Sequence, residues 1–275
     1  MSETAQKYYP SILQAIHLLI LYIFIQAIVD FPLALVDYYK NTEYMYHPVK
    51  RVLLSAGSTI FILVYGYRKM KVPFFKVFSL KFFNPLIIAA IITFFWGMHN
   101  LLGELNLWVE KMIPAPQWFW EMFGKTLDID YNRWGTFMKV VIIAPVVEEL
   151  IFRGIILQGF RRNYNAFVSV FMSALLFALF HLNPWQFPAT FVLGLLLGWI
   201  MVMNNNILLA IIGHSINNLM ALLSITYPEE ISTTRIFSPE KNTVMLISVA
   251  IAVVSLGLIY IFSMPKFRVN RKLQL

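Results

Sequence analysis

Several side chains able to move protons sit in stretches where the rest of the sequence is apolar. Residues 140–157 read Val-Val-Ile-Ile-Ala-Pro-Val-Val-Glu-Glu-Leu-Ile-Phe-Arg-Gly-Ile-Ile-Leu, which places Glu148, Glu149 and Arg153 inside a hydrophobic run. On a helix, Glu149 and Arg153 are at i,i+4 and can pair along one face, while Glu148 points about 100° away around the axis. An Arg–Glu clasp between helices would account for Glu149 and Arg153 but not for a second, adjacent acid. Further on, Phe177-Ala-Leu-Phe-His181 ends one apolar stretch, and Gly213-His-Ser-Ile-Asn-Asn218 lies in another. His214 and Asn218 share a helix face, whereas Asn217, next around, is expected to pack or hydrogen-bond elsewhere. A carboxylate with imidazoles and an amide can activate water as a general base and hold a developing oxyanion. Ser215 adjoins His214, but neighbouring helical side chains diverge, which argues against a serine nucleophile. Two Glu and two His could also hold a divalent ion. The chain has no H-E-x-x-H, so a zincin reading is poor, but a metal is left open.

These residues need elements that hold them in an unusual solvent. The chain has 275 residues, 59% hydrophobic and 13% charged, with mean hydropathy +0.68. Soluble domains carry about 45–50% apolar and about 25% charged residues, so a soluble enzyme, a disordered chain and a coiled coil are excluded. What remains is an all-α polytopic membrane protein of about eight transmembrane helices. The expected spans are Ile12–Val36, Val52–Tyr67, Pro85–Leu107, Thr136–Phe160, Ala166–Leu182, Ala189–Met203, Ile207–Ile225 and Thr243–Phe262. They form one integral membrane domain, 1–275, with its motif-bearing core at 136–225. The first span is too long and too lightly flanked for a signal peptide and reads as a retained anchor. With no cysteine, disulfides, thiolate nucleophiles and Cys-type metal sites are excluded.

Net charge +8 is here a topology signal rather than a sign of nucleic-acid binding. With eight spans, the N-terminus, the loop Arg68–Lys81, Arg161–Arg162 and the tail Lys266–Lys272 share one side. That side carries 12 Lys+Arg against one acid, Glu3; the other, counting Lys139 and Glu104 near its span ends, carries nine against ten. The positive-inside rule puts both termini in the cytoplasm, with the cell membrane as the expected location. Counting about 1.5 Å per residue from that side, Glu148 lies about 18 Å deep, His181 about 22 Å, Asn218 about 17 Å and His214 about 11 Å, so they could converge.

Other polar features are weaker. His99, Asn100 and Glu104 form either a packing face or part of a cavity wall. His17 is alone on an apolar helix. Asp30 is expected to cap or kink the first span beside Pro32. Gly194 and Gly198 make a G-x-x-x-G whose ordinary reading is helix packing. His47 is uninformative, and Glu229–Glu230 reads as a solvated loop. The segment Trp108–Arg133, rich in Trp and Phe and broken by Pro114 and Pro116, is either an interfacial aromatic helix or a lid over an intramembrane site.

Glu148-Glu149-x-x-x-Arg153, Phe177-x-x-x-His181 and His214-x-x-x-Asn218 together resemble the three motifs of the CAAX protease and bacteriocin-processing family. This is the type II CAAX prenyl endopeptidase, or Abi, group of intramembrane glutamic proteases. The resemblance covers about Val140–Met220. It implies an eight-helix core around an intramembrane catalytic cavity, and peptide-bond hydrolysis by activated water with no cofactor. In that reading Glu148 is the general base, His181 orients the water, His214 and Asn218 hold the oxyanion, and Glu149 and Arg153 support them. The implied partners are a peptide or membrane-protein substrate and the lipid bilayer, with no nucleic acid. Two other readings compete: a non-proteolytic scaffold that regulates a membrane partner, and a transporter or channel, for which no inverted repeat is visible.

Overall fold

The computed structural model describes residues 8–127, 133–227 and 241–264. Helix α1 (Ile12–Lys40) starts at a capping box in which Ser11 Oγ accepts from Gln14 N and Ser11 N donates to Gln14 Oε1. It continues through Pro32. Asp30 neither caps nor breaks it: the carboxylate accepts from Gln26 Nε2 at 2.8 Å and pairs with Arg51 of the next helix. Helix α2 (Pro48–Met70) is longer than its apolar run because His47 is its N-cap, with Nδ1 accepting from Lys50 N, and Pro48 suits the first turn. A short turn, α3 (Phe74–Val77), follows, exposing Phe74 and Phe75 and burying Val77.

Then come α4 (Leu86–Met112) and α5 (Gln117–Thr126). The next helical run, α6, is continuous but not uniform. An α-turn at Arg133–Phe137 widens into π-type turns at Met138–Ile143, tightens at Ala144–Glu149, widens again at Leu150–Ile156 and closes at Leu157–Phe160. Helices α7 (Ala166–Phe180), α8 (Phe187–Asn204), α9 (Ile207–Thr226) and α10 (Lys241–Ser263) complete the order. Among the described residues there is no strand, only a single bridge between Leu80 and Asn206.

By length and composition, α1, α2, α4, α8, α9 and α10 can each cross a membrane. The other two of the eight expected spans fall on α6 and α7. Segmented α6 carries the charges. Helix α7, at 15 residues, is about 22 Å long, short of a hydrocarbon core of about 30 Å. Residues Ile151–Leu157 are all buried, so α6 runs through the middle of the bundle, apolar or paired on every side. Around it α4 packs on α10 and α9, α7 on α8, and α1 on α2.

The parts expected on the basic side do gather on one face. Asn163 Nδ2 donates to the Tyr8 and Pro10 carbonyls, Arg162 Nη1 donates to the Met70 carbonyl at 3.2 Å, and Asn206 Nδ2 donates to the Lys81 carbonyl. The basic tail at 266–272 and Glu229–Glu230 lie outside the described residues.

Close helix approach depends on small residues. A Cβ at Gly97 of α4 would stand 2.9 Å from the Ser248 carbonyl oxygen of α10, whereas one at Gly57 of α2 would meet nothing within 4 Å. Gly97→Leu should therefore force α4 from α10 and lower stability by about 1–3 kcal/mol, the usual cost of overpacking. Gly57→Leu should leave stability within about 0.5 kcal/mol. Thermal melts of both variants in one detergent measure this; equal melting would show that the α4–α10 contact is not tight.

Candidate active site

Arg153 is the largest fully buried side chain of the described residues, and Glu149 beside it is equally buried, both at 0% exposure. Their i,i+4 spacing closes as an ion pair, Arg153 Nη1 to Glu149 Oε1 at 2.7 Å. Arg153 Nη2 donates to the Gly194 carbonyl at 3.1 Å, and the guanidinium lies 4.5 Å from the centre of the Phe177 ring. Glu149 Oε1 also receives His214 Nδ1 at 2.9 Å. A carboxylate oxygen accepts, so the Nδ1 proton points at Glu149 and Nε2 is turned the other way.

The G-x-x-x-G of α8 serves this arrangement. A Cβ at Gly194 would come within 3.0 Å of Ala174, and one at Gly198 within 3.0 Å of Val170. The two glycines let α8 lie against α7, and Gly194 also presents its carbonyl to Arg153.

Glu148 points away from the ion pair, as the helical offset requires. Its Oε2 is buried and has no hydrogen-bond partner among the described residues. It stands 3.7 Å from His181 Nε2 and 3.9 Å from His214 Nε2. Those separations are too long for direct hydrogen bonds and allow one water to touch the carboxylate and an imidazole together. His181 is held from behind by Nδ1, which donates to the Phe177 carbonyl at 2.8 Å. Helix α7 stops there because Leu182 takes a left-handed conformation (φ 51°), rare for a leucine, and Pro184 follows. Asn183 Oδ1 then accepts from the Trp185 and Gln186 amides and folds the chain into α8.

Asn218 Nδ2 donates to the Val140 carbonyl at 3.0 Å. That carbonyl is free for a local reason. Ala144 N–H bonds back five residues to Lys139, the π register, and the next donor in that register would be residue 145. Residue 145 is proline and has no N–H. Asn218 takes the orphaned acceptor, which leaves its second amide hydrogen to face the cavity.

The cavity holds about 270 Å³, and His181, Glu148, His214 and Asn218 all line it. Glu149 and Arg153 sit behind its wall. Each lining helix contributes one face: His99, Leu102, Gly103 and Asn106 on α4; Gln186, Ala189, Thr190 and Leu193 at α8; His214, Asn217, Asn218 and Ala221 on α9. Asn217 therefore does not pack elsewhere. It lies three residues from His214, a spacing that also shares a face, and donates to Asn218 Oδ1 at 3.2 Å. His99 is a wall residue, bonded to Ser224 Oγ at 2.7 Å, while Asn100 instead clasps Ser248 of α10. Asn106, Gln186 and Thr190 were not singled out in the sequence, although the i, i+3, i+4, i+7 pattern that joins His99 to Asn106 could have found the first.

Phe123 and Leu127, of α5 and its C-cap, complete the wall. The Phe119 ring of α5 packs at a tilt against Trp185, 4.2 Å between ring centres, and the Trp185 indole N–H donates to the Ile113 carbonyl at 2.7 Å. The aromatic segment thus covers one end of the cavity, while Trp118 and Trp120 remain exposed like interfacial residues. Among the described residues no group of three or more His, Asp or Glu is arranged to hold a metal ion.

No curated protein and no solved structure matches the chain. A family model does, over residues 131–220, the stretch that holds Glu148, Glu149, Arg153, His181, His214 and Asn218 and about a third of the chain. Over that stretch this integral membrane protein is similar to the type II CAAX prenyl endopeptidase Rce1-like family.

Proposed function

We propose that the chain is an intramembrane glutamic endopeptidase that hydrolyses a peptide bond in a membrane-associated protein or peptide. The observation that carries this reading is Glu148: a buried carboxylate oxygen with no hydrogen bond among the described residues, facing two imidazoles at separations that one water can bridge. Water held between Glu148 Oε2 and His181 Nε2 gives a proton to the carboxylate as its oxygen attacks the scissile carbonyl carbon. The oxyanion that forms accepts from the free amide hydrogen of Asn218 and from Nε2–H of His214, a donor in the cationic ring whose Nδ1–H is held by Glu149. The proton on Glu148 then passes to the leaving nitrogen, the C–N bond breaks, and an acid and an amine result. Donors fixed in a dry site need no reorganisation as charge develops, which makes them effective there. No acyl-enzyme is formed.

Glu148→Gln keeps the side-chain shape but cannot accept the proton, so turnover of a defined membrane peptide should fall by at least about 10²-fold with binding retained. Asn218→Ala should cost about 10²–10³. The same assay in 1,10-phenanthroline should leave wild-type turnover intact; loss restored by zinc would move the reading to a metalloprotease. Folded Glu148→Gln protein that cleaves at the wild-type rate would make the chain a non-proteolytic scaffold.

Arg153 touches no reacting atom and acts through Glu149. Removing one partner of a buried ion pair costs about 3–5 kcal/mol. Arg153→Ala should therefore lose thermal stability together with activity, whereas Glu148→Gln keeps its melting temperature. Arg153→Ala protein with a wild-type melt would show that the pair does not hold the bundle.

We assign the basic face to the cytoplasm on the positive-inside rule. A cysteine at Lys71, in a chain that has no other, should resist an impermeant maleimide in intact cells and react after permeabilisation. Labelling in intact cells would invert the topology.

A further inference from the structure

Away from the catalytic cavity, with no lining residue in common, α1 and α2 enclose a two-lobed groove on the basic face. Tyr65, Lys69 and Lys71 line both lobes. The first lobe, about 630 Å³, is apolar along Gly57, Ile60, Phe61 and Val64 and ends at Arg68. The second, about 580 Å³, adds Tyr9, Gln14 and His17. Among the described residues Arg68, Lys69 and Lys71 have no ion-pair partner. Lys69 Nζ stands 5.5 Å from the centre of the Tyr65 ring. Arg162 adds further positive charge where it bonds the Met70 carbonyl.

Three features of the groove fit a single occupant. His17 is exposed on a span-length apolar helix, with no polar partner among the described residues. It sits six residues beyond the N-cap Ser11, about 9 Å along the axis, nearer the basic end of α1 than its middle. The cations and His17 surround one end of the groove, and the other end is a hydrocarbon wall one helix turn after another. Gly57 leaves that wall open, with nothing within 4 Å of where a Cβ would stand.

We infer that this groove binds an anionic phospholipid, its phosphate held by Lys69, Lys71 and His17 and one acyl chain lying along Gly57, Ile60, Phe61 and Val64. Charge complementarity selects the headgroup, since no acid among the lining residues would repel it. The apolar lobe selects a lipid over a free ion, because a phosphate alone would leave that lobe without a ligand. Seated there, the lipid bridges the N-terminal end of α1 and the C-terminal end of α2 and satisfies side chains that would otherwise face hydrocarbon.

The test is native mass spectrometry of the full chain in a neutral detergent, titrated separately with dioleoylphosphatidylglycerol, dioleoylphosphatidylcholine and inorganic phosphate. Phosphatidylglycerol should bind with at least about tenfold preference over phosphatidylcholine. Lys69→Ala/Lys71→Ala should weaken it by about 30-fold, the value of two basic residues facing an anionic lipid. Gly57→Leu fills the acyl lobe without straining the fold and should weaken both lipids. Lys111→Ala, on the far side of α4, should change neither. Equal binding of the two lipids, or an unchanged preference in the double variant, overturns the headgroup assignment. Saturation by inorganic phosphate at the lipid's concentration, or an unaffected Gly57→Leu variant, overturns the acyl assignment. The Gly57→Leu arm decides the matter even if the double lysine variant does not fold.

Discussion

A guanidinium with no exposed surface lies in the middle of this membrane protein, and four helices are positioned by what it takes to keep it there. A charge at the centre of a span costs about 2.5–3.5 kcal/mol on insertion scales even before it is packed. Arg153 of α6 offsets this with Glu149 on its own helix, the Gly194 carbonyl of α8 and the face of Phe177 on α7. Glu149 in turn accepts from His214 of α9 through the oxygen that binds Arg153. Displacing any of the four helices would strand a charge or a polar atom in a dry interior. The small residues at the α7–α8 crossing are part of the same requirement, because a side chain at Gly194 would meet Ala174 and push its carbonyl out of reach.

This clasp also explains why two adjacent acids differ. Glu149 is consumed by it. Glu148, one residue earlier, is rotated out of it and faces His181 and His214, at distances that leave its Oε2 without a hydrogen bond among the described residues. The second acid, which a clasp alone does not explain, is the one that faces the cavity, while its neighbour holds the structure. His214 stands between them, its Nδ1 bonded to Glu149 and its Nε2 facing Glu148 at 3.9 Å.

Much of this was legible before any coordinates. Buried Glu, Arg, His and Asn at i,i+4 spacings are rare enough in apolar runs that their presence already selected α6, α7 and α9. Less legible was anything decided by packing. Asn217, next around the helix from Asn218, is expected elsewhere, but its i,i+3 relation to His214 puts it on the cavity wall. Asn106, Gln186 and Thr190 look like ordinary helix-end polars until α4 and α8 are placed around the cavity. Span boundaries slipped where a cap extends the helix past its apolar run, as His47 does for α2, and where a polar residue inside a span has a partner far away, as Asp30 has in Arg51. The eight expected spans became six long apolar helices plus α6 and α7, since a helix with wide turns and a helix of 15 residues fail the length test that hydropathy applies.

The wide turns of α6 are the part no periodicity announces, yet they connect the local sequence to the site. Two π-type segments bracket the six residues that carry both acids. In an unbroken α-helix every interior carbonyl is taken by an amide four residues on, and none is left for a side chain from another helix. Here the register shifts to five residues just before Pro145, whose missing N–H frees the Val140 carbonyl. Asn218 is drawn to it across the interface, which fixes one amide hydrogen and orients the other toward the space beside Glu148. A proline that reads as a helix liability is thus what lets α6 hold an amide of α9 in place without another charge or water. The sequence contains the cause, at residue 145, but its effect exists only once α9 has packed against α6.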